Sequence, residues 1–163
     1  MNKEIEPRFE TITEKKLAGQ SLSMSLANNR TGELWKGFMP RRQQLRAVVD
    51  TILYSLQVYD PAYFQHFNPT REYLKWAAVE VASFEELPAG IHPFVLPGGC
   101  YAVFLYKGSS TDSRIFQYIY TDWLPRSGYV LDHRPHFELL GARYQNGSPD
   151  SEEEIWIPVK PKV

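Results

Sequence analysis

The sequence predicts an α+β fold in which two βαββ units, arranged in tandem, form one antiparallel sheet with two helices on one face. Strand and helix patterns follow each other in the same order in both halves of the chain. Equivalent residues recur at similar spacings, as Tyr54 and Phe137 do and as Trp76 and Glu154 do. Because each half is too small to bury its own apolar face, the halves are expected to join side by side, with a ligand cleft on their pseudo-twofold axis.

The first unit, about residues 8–85, begins with a Thr- and Leu-rich segment that has patchy alternation and a bulge near Gly19. A helix then opens at Thr31 and ends at Pro40, because proline cannot continue a helix. The predicted elements of this unit are a strand over residues 9–26, a helix over residues 31–39, and strands over residues 53–59 and 74–83.

The second unit, about residues 92–160, repeats this order. A turn at residues 95–99 leads into an apolar strand, and Ser110 or Thr111 caps the helix that follows. Pro125 and Gly128 mark the end of that helix. The predicted elements are a strand over residues 100–106, a helix ending at residue 124, and strands over residues 136–142 and 154–159.

Composition narrows the class of protein. The 163 residues fit one domain, and a net charge of −1 without a basic block argues against binding nucleic acid by itself. The single cysteine, Cys100, allows no internal disulfide and favours a reducing compartment. Because the chain also lacks a long apolar run, we expect a cytoplasmic protein that does not enter a membrane.

The segments WLPRSGY at residues 123–129 and EIWIP at residues 154–158 are specific enough to suggest a family. They resemble the gyrase-inhibitor-like (GyrI-like) small-molecule-binding domain, which is also the effector-binding domain of many AraC-type and MerR-type regulators. TGELWKGFMPRR, YSLQVY and PGGCYAVFLYKG add to the resemblance, which runs from about Phe9 to Lys160. It identifies residues 1–163 as one such domain with the tandem βαββ arrangement.

The resemblance implies a cleft that binds hydrophobic, often cationic or planar, compounds around an acidic residue on the last strand, here Glu154. Only eight residues precede Phe9, so the chain is expected to be a stand-alone member without a helix-turn-helix. Such members are similar to proteins that sequester toxic compounds, to proteins that bind gyrase, and to hydrolases of reactive cyclopropane-bearing compounds.

Strand alternation predicts the face of the last strand on which Glu154 lies. Glu154, Trp156 and Pro158 share one face of their strand, while Ile155 and Ile157 share the other. The isoleucines suit the helix-covered core, which leaves Glu154 and Trp156 for the cleft. A carboxylate beside an indole suits a bound cation, or acid–base chemistry. The alternative is that residues 152–154 form a solvated acidic run.

Four further residues are candidate ligand contacts. Trp76 is expected in the cleft opposite Glu154, with a core position as the alternative, and small Ala78 beside it would leave room for a ligand. Tyr54 and Tyr106 are candidate hydroxyl groups of the cleft, although a bulge would reverse their direction. Phe38, at a helix end, is a candidate for the cleft edge, with core packing as its alternative.

No metal or cofactor is expected. His133 and His136 flank a proline without a second ligand pair, and all four histidines are interpreted as loop residues. The sequence therefore leaves three candidate functions, given in order of preference. They are a module that binds a small molecule to sense or sequester it, a hydrolase using Glu154 as general acid or base, and a domain that binds a protein partner such as gyrase. Glu154 belongs to the first two.

Overall fold

A computed structural model describes residues 5–163. Within that range the chain forms nine strands, and every pair of neighbouring strands is antiparallel. The strands are β1 (Arg8–Ile12), β2 (Lys15–Met24), β3 (Val48–Val58), β4 (Tyr73–Val81), β5 (His92–Leu96), β6 (Gly99–Lys107), β7 (Tyr129–Leu131), β8 (His136–Leu140) and β9 (Glu152–Pro161).

The strand order along the sheet is β1-β6-β9-β8-β3-β4-β2-β5, with β7 added beside β9. The central pair, β3 and β8, joins the two halves of the chain. The two outer strands cross over: β1, at the start of the chain, pairs with β6, and β5 pairs with β2. The α+β class and the single antiparallel sheet predicted from the sequence are confirmed.

The two faces of the sheet are covered differently. One, which we call the helix face, packs against both helices, since Ala77 and Val79 contact the first helix and Phe104 and Ile155 contact the second. The other, which we call the inner face, carries the residues that alternate with these. Leu56 on the inner face has no exposed surface although no helix covers it. The sheet therefore curls so that the inner-face side chains bury one another.

Both helices lie where the sequence predicts them, but the residues at which they begin or end differ in part from the prediction. Helix α1 (Thr31–Phe38) ends just before Pro40, as predicted, and a 3-10 segment (Met39–Gln44) that contains Pro40 in its first turn follows it. Helix α2 (Arg114–Tyr118) starts two or three residues later than predicted, and neither Ser110 nor Thr111 caps it. A π-helical turn (Ile119–Trp123) and helix α3 (Leu124–Arg126) complete that segment.

Two strand predictions were wrong. The segment from Phe9 to Leu26 is two strands separated at Thr13 and Glu14, and Gly19 pairs regularly with both neighbouring strands instead of forming a bulge. The turn predicted at residues 95–99 is preceded by strand β5, which begins at His92. Within residues 5–163 no helix is both long enough and apolar enough to cross a membrane.

Candidate functional site

Aromatic side chains fill the inner face. Phe137 on β8 stacks on Trp156 on β9, with ring centroids 5.2 Å apart and planes 19° apart. Tyr101 meets Trp156 edge-on at 5.7 Å, and Tyr54 lies 5.7 Å from Phe137. Trp76 packs against Phe94 at 5.0 Å. Such rings bury large apolar areas and present flat surfaces on which another ring can stack.

Glu154 lies at the edge of this aromatic cluster, with its side chain 30% exposed. Its Oε1 accepts a hydrogen bond from Trp156 Nε1 at 3.0 Å, and its Oε2 accepts one from the Arg8 guanidinium at 3.0 Å. Leu105, its neighbour on β6, is 56% exposed, so the cluster is open to solvent on this side. Glu154 is thus a carboxylate held by two donors at an accessible rim.

A second carboxylate lies across the inner face. Glu80 on β4 accepts a long hydrogen bond from the Tyr54 hydroxyl, 3.4 Å away, and its Oε1 lies 3.6 Å from Lys15 Nζ. Burial, followed by the negative charge of Glu80, raises the pKa of Tyr54 well above its usual range. Tyr54 therefore stays a neutral hydroxyl donor.

Trp76 is the unsatisfied member of the inner face. It is only 8% exposed, and its Nε1 has no hydrogen-bond partner among the described residues. A buried donor without an acceptor costs free energy, and such groups call for a structural or functional explanation. The indole N–H therefore offers a donor within an apolar, aromatic surrounding. Ala78 beside it is fully buried, so it leaves no open space there.

The structure brings Glu154, Trp156, Trp76 and Tyr54 together on the inner face, as the sequence predicted. It does not bring Tyr106 or Phe38 there. Tyr106 packs among the residues beneath the second helix, where its hydroxyl donates to Ser109 O at 2.9 Å. Phe38 is fully buried beneath the first helix. Tyr106 follows the regular alternation of β6, which sends it to the opposite face from Tyr101 and Val103.

Between the helix-packed regions of the helix face runs a strip of polar residues that sequence reasoning missed. Glu138 on β8 is buried and accepts a hydrogen bond from Gln57 Nε2 at 3.2 Å, and burial raises its pKa. Burial, with the nearby charge of Glu138, raises the pKa of Glu153 to about 7. The signal was the period-2 spacing of polar residues in the central strands, Ser55 with Gln57 and His136 with Glu138.

His136 belongs to this strip, which corrects its interpretation as a loop residue. It begins β8, is 4% exposed, and its Nδ1 lies 2.8 Å from the Tyr120 hydroxyl. Phe64 stacks on its ring with centroids 5.3 Å apart. Burial lowers the pKa of His136 to about 3, with the charge of Arg134 acting in the same direction, so the imidazole is neutral at physiological pH.

Two cavities within residues 5–163 lie away from Glu154. One, of about 260 Å³, is lined by Tyr59, Phe64, Arg134 and His136 among others. The other, of about 290 Å³, lies between β2 and the first helix. We place the candidate site on the inner face nevertheless, because its carboxylates and aromatic rings converge there. The aromatic side chains themselves occupy that space, so a ligand must stack at the rim or displace a ring.

Arg8 is the functional candidate that the sequence did not reveal. Its partner Glu154 is 146 residues away, and the contact depends on β1 pairing with β6 from the other half of the chain. The available signal was the alternation of β1, where Arg8, Glu10 and Ile12 share one face and Phe9 and Thr11 the other.

Comparison with known proteins shows which family the chain matches. Residues 5–160 match the GyrI-like small-molecule-binding domain. The chain belongs to that family. A curated relative, the transcriptional regulator BrlR of Pseudomonas aeruginosa, is 26% identical over 146 residues, which cover 88% of this chain and 51% of BrlR. This GyrI-like chain thus spans about half the length of that regulator.

Solved structures show the same fold at low sequence identity. The C-terminal domain of EcmrR superposes with a TM-score of 0.70 at 16% identity, over 97% of this chain and 99% of that one. SAV2435 bound to tetraphenylphosphonium gives 0.63 at 19%, over 96% and 94%. A hydrolase from Listeria innocua gives 0.61 at 9%, over 95% and 92%. At these identities the likeness concerns the fold alone.

Proposed function

We propose that this GyrI-like domain binds a small hydrophobic organic compound, cationic or planar, against the aromatic cluster beside Glu154, in order to sense or sequester it. The observation that carries the proposal is the junction of the partly exposed Glu154 with the stacked rings of Trp156 and Phe137, which are themselves buried. A flat ring stacked on Trp156 would gain apolar and aromatic contact, while the carboxylate would orient its polar groups.

The fold-level likeness to SAV2435, whose solved structure contains tetraphenylphosphonium, supports a bulky aromatic ligand. The likeness to EcmrR and BrlR supports a sensing role, since both are regulators or parts of regulators. Either role requires only reversible binding, and neither requires this chain itself to contact nucleic acid.

Titration of the protein with lipophilic aromatic compounds, followed by tryptophan fluorescence, tests the proposal. Because Trp156 donates to the partly exposed Glu154, we expect saturable quenching that is lost in Trp156→Phe. The matched control is Trp35→Phe, which removes a ring that packs on Phe38 at the first helix. Quenching that survives Trp156→Phe but disappears in Trp35→Phe would move the ligand to the helix face and contradict the proposal.

A second candidate function is hydrolysis of strained, cyclopropane-type compounds with Glu154 as general acid or base. The fold-level likeness to the Listeria hydrolase favours it, as does the fixed orientation of the carboxylate between Arg8 and Trp156. In this mechanism Glu154 would remove a proton from the attacking water or deliver one to the opening ring, while the aromatic rings hold the substrate.

Replacing Glu154 with glutamine separates the two functions. The amide oxygen of the glutamine can still accept the Trp156 hydrogen bond, but the amide cannot transfer a proton, so we expect uncharged compounds to bind about as tightly as before. Any turnover should fall by roughly 100-fold or more, the usual contribution of a general acid or base. Dialysis measures binding, and mass detection of product measures turnover. If the change alters neither turnover nor the affinity for a charged compound, Glu154 is not part of the site. If no compound binds, a protein partner such as gyrase becomes the better candidate.

We also propose that the chain is a tandem duplication, with repeats near residues 8–85 and 92–160. The strand registers support this. Tyr54 pairs with Ala78, and Phe137, 83 residues later, pairs with Trp156, 78 residues after Ala78. The pair of Ser21 with Trp76 corresponds to that of Leu105 with Glu154, at spacings of 84 and 78 residues. Trp76 then occupies in one unit the position of Glu154 in the other.

A further inference from the structure

Each inner-face carboxylate described above already has a basic side chain of this chain beside it. Arg8, from β1, donates to Glu154 at 3.0 Å, and Lys15, from β2, lies 3.6 Å from Glu80. Both basic residues come from the first two strands, which lie on opposite sides of the sheet. Glu154 and Glu80 are therefore each paired with a basic group within the protein, although Arg8 also pairs with Glu10.

Arg8 reaches Glu154 across one intervening strand. Arg8 pairs with Val103 on β6, and Val103 pairs with Trp156 on β9, so the three residues form a row across the inner face. From this row the guanidinium extends to Glu154 Oε2, while its Nε donates to Glu10 at the exposed edge. A ligand cation that approached the Glu154 carboxylate would find Arg8 already bound to it.

The other oxygen of Glu154 is also occupied, because it accepts the Trp156 indole N–H at 3.0 Å. Two buried groups beside the aromatic cluster lack a hydrogen-bond partner among the described residues, and both are donors: Trp76 Nε1 and Nη1 of Arg134, whose guanidinium lies over the Tyr101 ring. An unpartnered donor in an aromatic surrounding recognises an acceptor such as a carbonyl oxygen or a ring nitrogen. Charge matching and the free donor thus point to the same kind of ligand.

We infer that Arg8 sets the charge preference of the site, which takes an uncharged planar aromatic compound carrying a hydrogen-bond acceptor in preference to a lipophilic cation. The inference rests on the proposed function, since it concerns the same aromatic cluster. In this arrangement the ligand displaces a ring of the aromatic cluster, because Trp76 Nε1 is buried. Its acceptor then meets Trp76 Nε1 while the Arg8–Glu154 pair stays intact. A cation binds only by displacing Arg8, which removes a favourable ion pair.

Two probes of nearly the same shape test this preference, namely 10-methylacridone, which is uncharged and carries a carbonyl, and 10-methylacridinium, which is a cation. Equilibrium dialysis with absorbance detection gives the dissociation constant of each. We expect the protein to bind the acridone about tenfold more tightly. This is the effect of one hydrogen bond together with one partly exposed ion pair.

Arg8→Gln should raise the affinity for the acridinium by about threefold to fivefold and leave the acridone nearly unchanged. Arg30→Gln is the matched control, because Arg30 forms an exposed ion pair with Glu33 far from the site, and it should change neither affinity. Trp76→Phe should weaken the acridone by about threefold to tenfold and leave the cation unaffected.

The outcomes separate the inference from the function on which it rests. Preference of the unaltered protein for the acridinium, or an Arg8→Gln variant with an unchanged ratio of affinities, would overturn the inference while leaving small-molecule binding intact. Failure of both probes to bind the unaltered protein would overturn the proposed function, and the charge preference with it.

Discussion

Replacing Gly19 with alanine should destabilise the domain by about 3–5 kcal/mol, the range of a severe steric change in a core. Gly19 lies in the middle of β2, between Ala78 on β4 and His92 on β5. A methyl group there would overlap the carbonyl oxygen of Ala77 and lie 2.7 Å from the Ala78 Cα. Because the obstacle is backbone, a small rotation of a side chain cannot relieve it.

Urea unfolding followed by circular dichroism measures the loss. Gly32→Ala is the matched control, because Gly32 lies in helix α1 and a methyl group there meets nothing within 4 Å. We expect that variant to be about 0.5–1 kcal/mol more stable, since alanine favours helix. A Gly19→Ala protein as stable as the original would show that β2 and β4 are not as closely apposed as described.

Acidification should weaken the domain through His136. In the folded protein burial lowers the pKa of His136 to about 3, whereas the ordinary value is 6.5. Between these values the unfolded chain binds a proton that the folded chain does not, so the free energy of unfolding falls as the pH is lowered through that window. By about pH 4 the loss attributable to His136 should be about 3 kcal/mol.

Comparison with His136→Asn isolates this contribution. The amide of asparagine can replace the hydrogen bond to Tyr120 but does not titrate. The free energy of unfolding of the variant, relative to that of the unaltered protein, should therefore be higher at about pH 4 than at about pH 7. Glu153, whose pKa burial raises to about 7, favours the folded state as the pH falls, and it does so in both proteins. A stability difference that stays constant with pH would mean that His136 is solvated.

Much of the fold could be predicted from the alternation of side chains between the two faces of each strand. In β9 the isoleucines at 155 and 157 face the helix-covered core while Trp156 and Glu154 face the opposite way, and each of these four residues has the predicted face. The same rule placed Trp76 and Tyr54. Strongly alternating strands specify their faces because a shift of one residue would expose the whole apolar set.

The errors arose where local pattern does not determine the outcome. Thr13 and Glu14 interrupt an otherwise strand-like segment, and nothing in their identity shows that the chain crosses to the other half of the sheet there. His136 was interpreted as a loop histidine although the predicted strand over residues 136–142 begins with it, and the structure agrees with the strand prediction.

The site was predictable only as far as its residues lie close in sequence. The Glu154–Trp156 pair follows from a two-residue spacing on one strand. Arg8 could not be found in this way, because its contact with Glu154 requires the order of the strands in the sheet as well as the face of each. Tyr106 was misplaced because its direction depends on the parity of β6, which lacks an independent marker in the sequence.

The exchange of outer strands has a consequence for a cleaved chain. Strand β1 is hydrogen-bonded to β6, and β5 to β2. Each part of the chain, before and after Glu86, therefore contributes an outer strand to the part of the sheet that the other forms. Proteolysis at Glu86, a non-glycine residue with a φ of 61°, would sever the covalent link and leave both of these pairings and the central β3–β8 pairing in place. The two fragments should therefore co-elute as a noncovalent complex and reassociate after denaturation, with each fragment acting as the template for the other.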